Sequence, residues 1–172
     1  MKFSVPFQLL SASCGVVTVI LWGVVHGVLA QVPSTAEAAN LVFYGVTVND
    51  AGDEILADGG LTLREALAFT NGFLGFEQLS GAEQQQVRVL EAGDRHRIQF
   101  NLPSGQTEIQ LTHLLPPIIQ AGLTIDGTTQ PNATDDAPVI SLTPAGNAIV
   151  PRGLTVSADQ VTIRGLSLSG FN

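Results

Sequence analysis

The stretch from Asp50 to Asp58 concentrates carboxylate side chains. Its acidic residues are Asp50, Asp53, Glu54 and Asp58. Calcium takes about six to eight oxygen ligands and accepts irregular loops, so these side chains are candidate calcium ligands. Their spacing differs from the D-x-D-x-D-G pattern of calcium-binding loops, and the chain has no glycine-rich nonapeptide repeat. The pattern therefore favours a solvated acidic loop, with a calcium site as the alternative.

Asp126 and Arg164 are the candidate ligand-binding residues of the second half of the chain. They occupy matching places in two similar segments, T-I-D-G and T-I-R-G. An outward-facing Asp126 can bind calcium or act as one acid of a hydrolytic pair, whereas the favoured structural alternative is a cap on the turn before Gly127. An outward-facing Arg164 can bind a carboxylated sugar, whereas the favoured structural alternative is an ion pair with an Asp on a neighbouring strand.

The sequence shows no complete catalytic site. A glycosidase needs two carboxylates that face each other across about 5–10 Å, and no spacing places Asp135, Asp136 or Asp159 beside Asp126. The signatures N-T-D and G-H-G of polygalacturonase-like enzymes are absent, as are G-x-S-x-G and G-x-x-x-x-G-K. The histidines lack zinc-ligand spacing such as H-x-x-x-H. We therefore predict no catalytic residue and no cofactor beyond the calcium alternative.

Charge and composition exclude further classes of protein. The 172 residues carry 15 Asp and Glu against 7 Lys and Arg, a formal net charge of -8. Nucleic-acid binding needs basic residues that neutralise phosphates, so this balance argues against it. Apolar residues make up 45% and charged residues 13%, which is too apolar for a disordered chain and too lightly charged for a coiled coil.

The amino terminus has the order of a secretory signal. Lys2 supplies a positive charge, residues 15–25 form an apolar run, and residues 28–30 offer small side chains for cleavage. The run is shorter than the roughly 20 apolar residues of a membrane-spanning helix. We therefore predict a signal peptide over residues 1–30, a flexible linker over residues 31–40, and a secreted or cell-surface location. The alternatives are an uncleaved signal, which would contact a membrane, and a buried helix.

Two capping boxes predict two short helices in the first half of the remaining chain. The T-x-x-E form stands at residues 62–65, and S-x-x-E repeats it at residues 80–83. The first helix is expected to stop at Asn71-Gly72, and the second to continue to Gly93. A run rich in β-branched and aromatic residues predicts a strand over residues 41–48.

After Arg97 the sequence changes to short segments that alternate apolar and polar residues, the period of half-buried strands. The predicted strands are residues 98–102, 108–111, 123–127, 139–142, 153–156 and 161–168. Such segments fit either an antiparallel sandwich or a solenoid of stacked strands. No Asn-Gly hairpin turn lies between two of them, and the T-I-x-G form recurs, so a solenoid is favoured.

The segment Leu63-Arg64-Glu65-Ala66 matches the L-R-E-A core of the CSLREA motif, found near the start of some bacterial secreted proteins. Further segments resemble the same proteins in the same order: residues 98–103, 115–118, 123–127 and 162–168. The resemblance covers roughly Val46 to Asn172. Leu61 and Thr62 stand where the motif has Cys and Ser, so a Cys-based staple is absent.

This resemblance implies a mainly β fold, in which a small α/β cap precedes a right-handed parallel β-helix. The cap would span residues 41–97 and the first rungs residues 98–172, with further rungs expected in a longer protein. Within the motif, Glu65 is expected to cap its helix, and Arg64 to pair with the acidic loop.

The expected function is that of an exported β-helical surface protein with a structural, adhesive or glycan-binding role. Its expected partner is a polysaccharide or a cell-surface glycan. The alternative is the amino-terminal part of a carbohydrate-active enzyme, a polysaccharide lyase or glycoside hydrolase. An enzyme should cluster carboxylates and arginines along one groove, and that pattern is missing from the sequence.

Overall fold

The computed structural model describes residues 42–133 and 137–171. The predicted signal peptide and linker, together with Asp135 and Asp136, lie outside the described residues. Within the described part of the chain, no helix is long and apolar enough to cross a membrane.

The described residues form eight short strands and two short α-helices. The strands are β1 (Tyr44–Val48), β2 (Val87–Val89), β3 (Arg97–Phe100), β4 (Glu108–Leu111), β5 (Thr124–Asp126), β6 (Ile140–Pro144), β7 (Thr162–Arg164) and β8 (Leu166–Leu168). The α-helices are α1 (Leu63–Thr70) and α2 (Gly81–Gln84). Two 3-10 turns lie at Phe76–Gln78 and Gly127–Thr129.

The strands make two sheets. One has five strands in the order β2-β1-β3-β5-β7, and the other has three strands in the order β4-β6-β8. Strand β2 pairs with β1 antiparallel, whereas the remaining neighbours pair in parallel. From β3 onward the chain alternates between the two sheets. Two neighbouring parallel strands need a crossover connection, and here each crossover contributes a strand to the opposite sheet.

Apolar side chains of both sheets share one core. Val46, Ile98 and Ile125 are aligned across β1, β3 and β5 and are fully buried. Ile109 and Leu142 are aligned across β4 and β6 and are also fully buried. Further buried members of this core are Leu61, Leu63, Ala66, Leu67, Ile118 and Leu123. Because side chains alternate along a strand, the polar residues between these apolar ones face outward.

The second predicted helix is much shorter than expected. It begins after Ser80, but helix α2 ends at Gln84, and residues 87–89 form strand β2 instead. Strand β2 pairs with the outer edge of β1. The N–H and C=O groups along that edge of β1 would otherwise lack hydrogen-bond partners within the sheet. The β-branched Val87 and Val89 suit that extended conformation.

Two predicted strands also differ from the structure. Residues 153–156 were expected to form a strand but contribute only an isolated parallel bridge, between Val156 and Ile118. Pro116 and Pro117 precede Ile118 and have no backbone N–H, which limits a longer ladder. Residues 161–168 were expected to form one strand, but Gly165, with a φ of 67°, divides them into β7 and β8 in different sheets.

Candidate functional site on the outer face of the five-stranded sheet

The outward-pointing residues of the five-stranded sheet form two rows in register, and we call this surface the outer face. One row consists of Thr47, Gln99, Asp126 and Arg164. The other consists of Gly45, Arg97, Thr124 and Thr162. The parallel pairing of short strands therefore gathers polar groups that lie far apart in sequence onto one surface.

Asp126 and Arg164 contact each other within this face. The Arg164 Nη2 atom donates to Asp126 Oδ2, and the Asp126 side chain is 6% exposed while that of Arg164 is 62% exposed. Asp126 Oδ1 also accepts hydrogen bonds from the backbone N–H and the hydroxyl of Thr128, at 3.1 and 2.6 Å. The structural alternatives for both residues are thus confirmed: Asp126 caps the turn, and Arg164 pairs with an Asp on the neighbouring strand.

The Asp126 carboxylate is held in its ionised form. Burial raises the pKa of this carboxyl, but hydrogen bonds from Arg164 and Thr128 together outweigh burial and hold the pKa below its ordinary value of 3.8. A general acid must carry a proton near the operating pH, so this carboxylate is unsuited to that role. Its ligand-binding role stays a prediction.

Arg88 extends the outer face to strand β2. Its Nη2 atom donates to Gln99 Oε1 at 3.0 Å. The same side chain lies over Gly45, where a Cβ atom would come within 2.8 Å of Arg88 Nε. The glycine in β1 therefore leaves the space that lets this arginine cross from β2 towards β3.

The acidic loop (residues 50–58) follows strand β1 closely in sequence and has a structural role. Asp50 Oδ1 accepts from the Gly52 amide at 2.6 Å, and Asp58 Oδ1 accepts from the Gly60 amide at 3.1 Å. The Asp53 carboxylate forms an ion pair with Arg64 and accepts a hydrogen bond from the Thr112 amide.

The four calcium candidates line one cavity of about 190 Å³: Asp50, Asp53, Glu54 and Asp58. In residues 42–133 and 137–171, no three His, Cys, Asp or Glu side chains are grouped so that they could hold a metal ion. Hydrogen bonds already occupy oxygens of three of the four carboxylates. A calcium site in this loop stays a prediction.

Arg64 and Glu65 of the L-R-E-A segment both contact the acidic loop. The sequence predicted this contact for Arg64, and only the helix cap for Glu65. Arg64 Nη2 lies 2.7 Å from Asp53 Oδ1. Glu65 completes the capping box with Thr62, and its Oε1 atom accepts from the Leu56 amide at 2.8 Å. Burial raises the pKa of the Glu65 carboxyl above its ordinary value of 4.5, although hydrogen bonds from Thr62 and Leu56 oppose this shift.

Glu83 was predicted only as a capping residue, but it does more. It is fully buried, and its Oε1 atom accepts from the amides of Asp58 and Gly59 at 3.0 and 3.1 Å. Its Oε2 atom accepts from the Ser80 amide at 2.7 Å and completes the second capping box. The spacing of residues 80–83 predicts the box, but no local signal predicts the contacts with the loop.

No family model, curated protein or solved structure matches this chain. The similarity to CSLREA-motif proteins stays a prediction from short motifs. Function must therefore be inferred from the geometry of the chain itself.

Sequence reasoning singled out Asp126 and Arg164 but missed the other members of the outer face. Those members include Arg88, Arg97 and Gln99, which lie in segments whose alternation of polar and apolar residues is visible in the sequence. The alternation shows which residues point outward, but not which strands become neighbours.

Proposed function

We propose that this chain is an exported surface protein built on a right-handed parallel β-helix, with a structural or adhesive role. In this proposal the outer face binds glycans. From β3 onward the chain alternates between the parallel strands of the two sheets, and this supports the solenoid, because each coil then adds one strand to each sheet. The right hand follows the handedness of parallel crossover connections.

The outward row of Thr47, Gln99, Asp126 and Arg164 carries the functional proposal. These residues come from four strands and are aligned by backbone pairing, so a flat ladder of polar side chains crosses the sheet. Hydroxyl, amide and guanidinium groups donate and accept the hydrogen bonds that sugar hydroxyls require. A rigid sheet positions these groups without the ordering cost of a mobile loop.

Paired substitutions on the two sheets test the proposal. Binding of the full chain to an array of bacterial and host polysaccharides is measured first. The affinity for each glycan that binds is then measured by titration. Replacing Gln99 and Thr124 together by Ala should weaken binding by about tenfold, since each lost hydrogen bond contributes about 0.5–1.5 kcal/mol.

The matched control replaces Thr143 and Ser167 by Ala on strands β6 and β8 of the other sheet. This control should retain the affinity within about twofold, because these residues lie outside the outer face. Absence of binding to every glycan, or equal losses in both double variants, would contradict the proposal.

A further inference from the structure

The exposed charge on the strands of the outer face is positive. Arg88, Arg97 and Arg164 project from β2, β3 and β7. Among the residues of these five strands Asp126 is the one carboxylate, and it is buried against Arg164. By contrast, the three strands of the other sheet carry Glu108 and no basic residue. This segregation occurs in a chain whose net charge is -8.

The three arginines lie on alternate strands of the five-stranded sheet. In the order β2-β1-β3-β5-β7 they occupy the first, third and fifth strands. Neighbouring strands lie about 4.8 Å apart, so successive arginines are separated by roughly 10 Å across the sheet. A linear polysaccharide that crosses the strands can therefore bring one acidic group near each arginine.

Two of these arginines are held in place by contacts within the face. Arg88 donates to Gln99 and lies over Gly45, and Arg164 donates to Asp126. Both side chains still face solvent. An arginine that is already oriented loses less conformational freedom when it binds a carboxylate or sulfate, and its planar fork matches both anions.

We infer that the outer face binds an acidic polysaccharide, whose carboxylate or sulfate groups pair with Arg88, Arg97 and Arg164. This inference rests on the proposed glycan-binding function and specifies its ligand class. Thr124 and Thr162 share a row with Arg97 and supply hydroxyl groups for the uncharged parts of the sugars. A nucleic acid is the less suitable polyanion, because neither row of the outer face carries an aromatic side chain on which bases could stack.

The inference is tested with three polysaccharides that share one sugar backbone and differ in their charged groups. Binding of the full chain to unmodified dextran, carboxymethyl dextran and dextran sulfate is measured by titration at low ionic strength. We expect binding to at least one acidic form that is at least about tenfold tighter than to dextran, and weaker binding as salt is added. The two acidic forms distinguish carboxylate from sulfate as the preferred group.

Arginine variants link the binding to this surface. Arg97→Gln should weaken binding to the acidic dextran by about tenfold, and the triple variant R88Q/R97Q/R164Q by about a hundredfold or more. The matched control is Arg152→Gln, which makes the same charge change at an exposed residue outside the strands. It should change the affinity by less than about twofold. Unchanged far-UV circular dichroism verifies that each variant is folded.

The outcomes separate the inference from the proposed function. Equal binding to neutral and acidic dextrans, or to other neutral glycans alone, overturns the acidic ligand but leaves glycan binding in place. Binding to no polysaccharide overturns both. Equal losses for Arg97→Gln and Arg152→Gln show general charge attraction and overturn the site. Binding of single-stranded RNA that is tighter and depends on the same arginines replaces the glycan with nucleic acid.

Discussion

The Arg64 guanidinium and the Asp53 carboxylate form a buried ion pair that fastens the acidic loop to the start of helix α1. Their closest atoms are 2.7 Å apart, and the side chains are 12% and 4% exposed. Arg64 also donates to the carbonyls of His113 and Leu114, while Asp53 accepts from Thr112. The pair therefore joins three segments of the chain, which gives the L-R-E-A segment a structural role.

Removing one partner of this pair should be costly. Arg64→Gln leaves the Asp53 charge buried without its counter-ion, so we expect the free energy of unfolding to fall by about 3–5 kcal/mol. Glu54→Gln is the control, because Glu54 lies in the same loop but is exposed, and it should change stability by less than about 0.5 kcal/mol. Urea unfolding measures both. A loss below about 1 kcal/mol for Arg64→Gln would show that the pair does not anchor the loop.

The recurrent T-I-x-G form is explained by two glycines that lie against each other. A Cβ atom on Gly127 would overlap the carbonyl oxygen of Gly165 and lie 2.7 Å from its carbonyl carbon. Gly165 has a φ of 67°, a conformation that side chains other than glycine rarely adopt. Each glycine thus ends a strand where two chain segments approach too closely for any side chain.

Gly127→Ala should consequently destabilise the protein by at least about 3 kcal/mol, because backbone atoms rather than a flexible side chain must move. Gly81→Ala is the matched control. No atom lies within 4 Å of the added Cβ there, and alanine suits the first turn of α2, so a change between zero and about 1 kcal/mol of stabilisation is expected. Thermal denaturation compares the two. Similar melting temperatures would contradict the close packing.

Local features of this fold could be predicted from the sequence, whereas pairing between distant strands could not. Helix α1 and strand β4 lie where capping and alternation placed them. Strand β2 was predicted as helix, because its pairing with the edge of β1 decides between helix and strand, and that pairing is not visible in the local sequence. The outer face was missed for the same reason: Arg88, Arg97 and Arg164 become one surface only through the order of the strands.

Glu83 offers a second test of how the acidic loop is held. Replacing it by Ala removes the acceptor for the amides of Asp58, Gly59 and Ser80. We expect a loss of about 2–4 kcal/mol, since buried donors without partners are unfavourable. Glu77→Ala, at an exposed position in a 3-10 turn, should cost less than about 0.5 kcal/mol. Equal stability of the two variants in urea would rule out this role for Glu83.

His96 should make the protein less stable as the pH falls below neutrality. Its Nδ1 atom accepts a hydrogen bond from the Tyr44 amide at 3.2 Å, and its ring contacts those of Phe43 and Tyr44. Burial lowers the pKa of this imidazole below its ordinary value of 6.5. A protonated ring would donate at both nitrogens and lose the acceptor for the amide.

The sign of the pH effect follows from this lowered pKa. Below about pH 6.5 the unfolded chain binds a proton at His96 that the folded chain resists, so stability is complete above that pH and declines as the pH falls towards the folded-state pKa. Urea unfolding between about pH 7.5 and pH 5.5 measures the decline. His96→Asn retains an acceptor without a titratable ring and should reduce the slope. An identical slope in His96→Asn would assign the pH dependence to other groups.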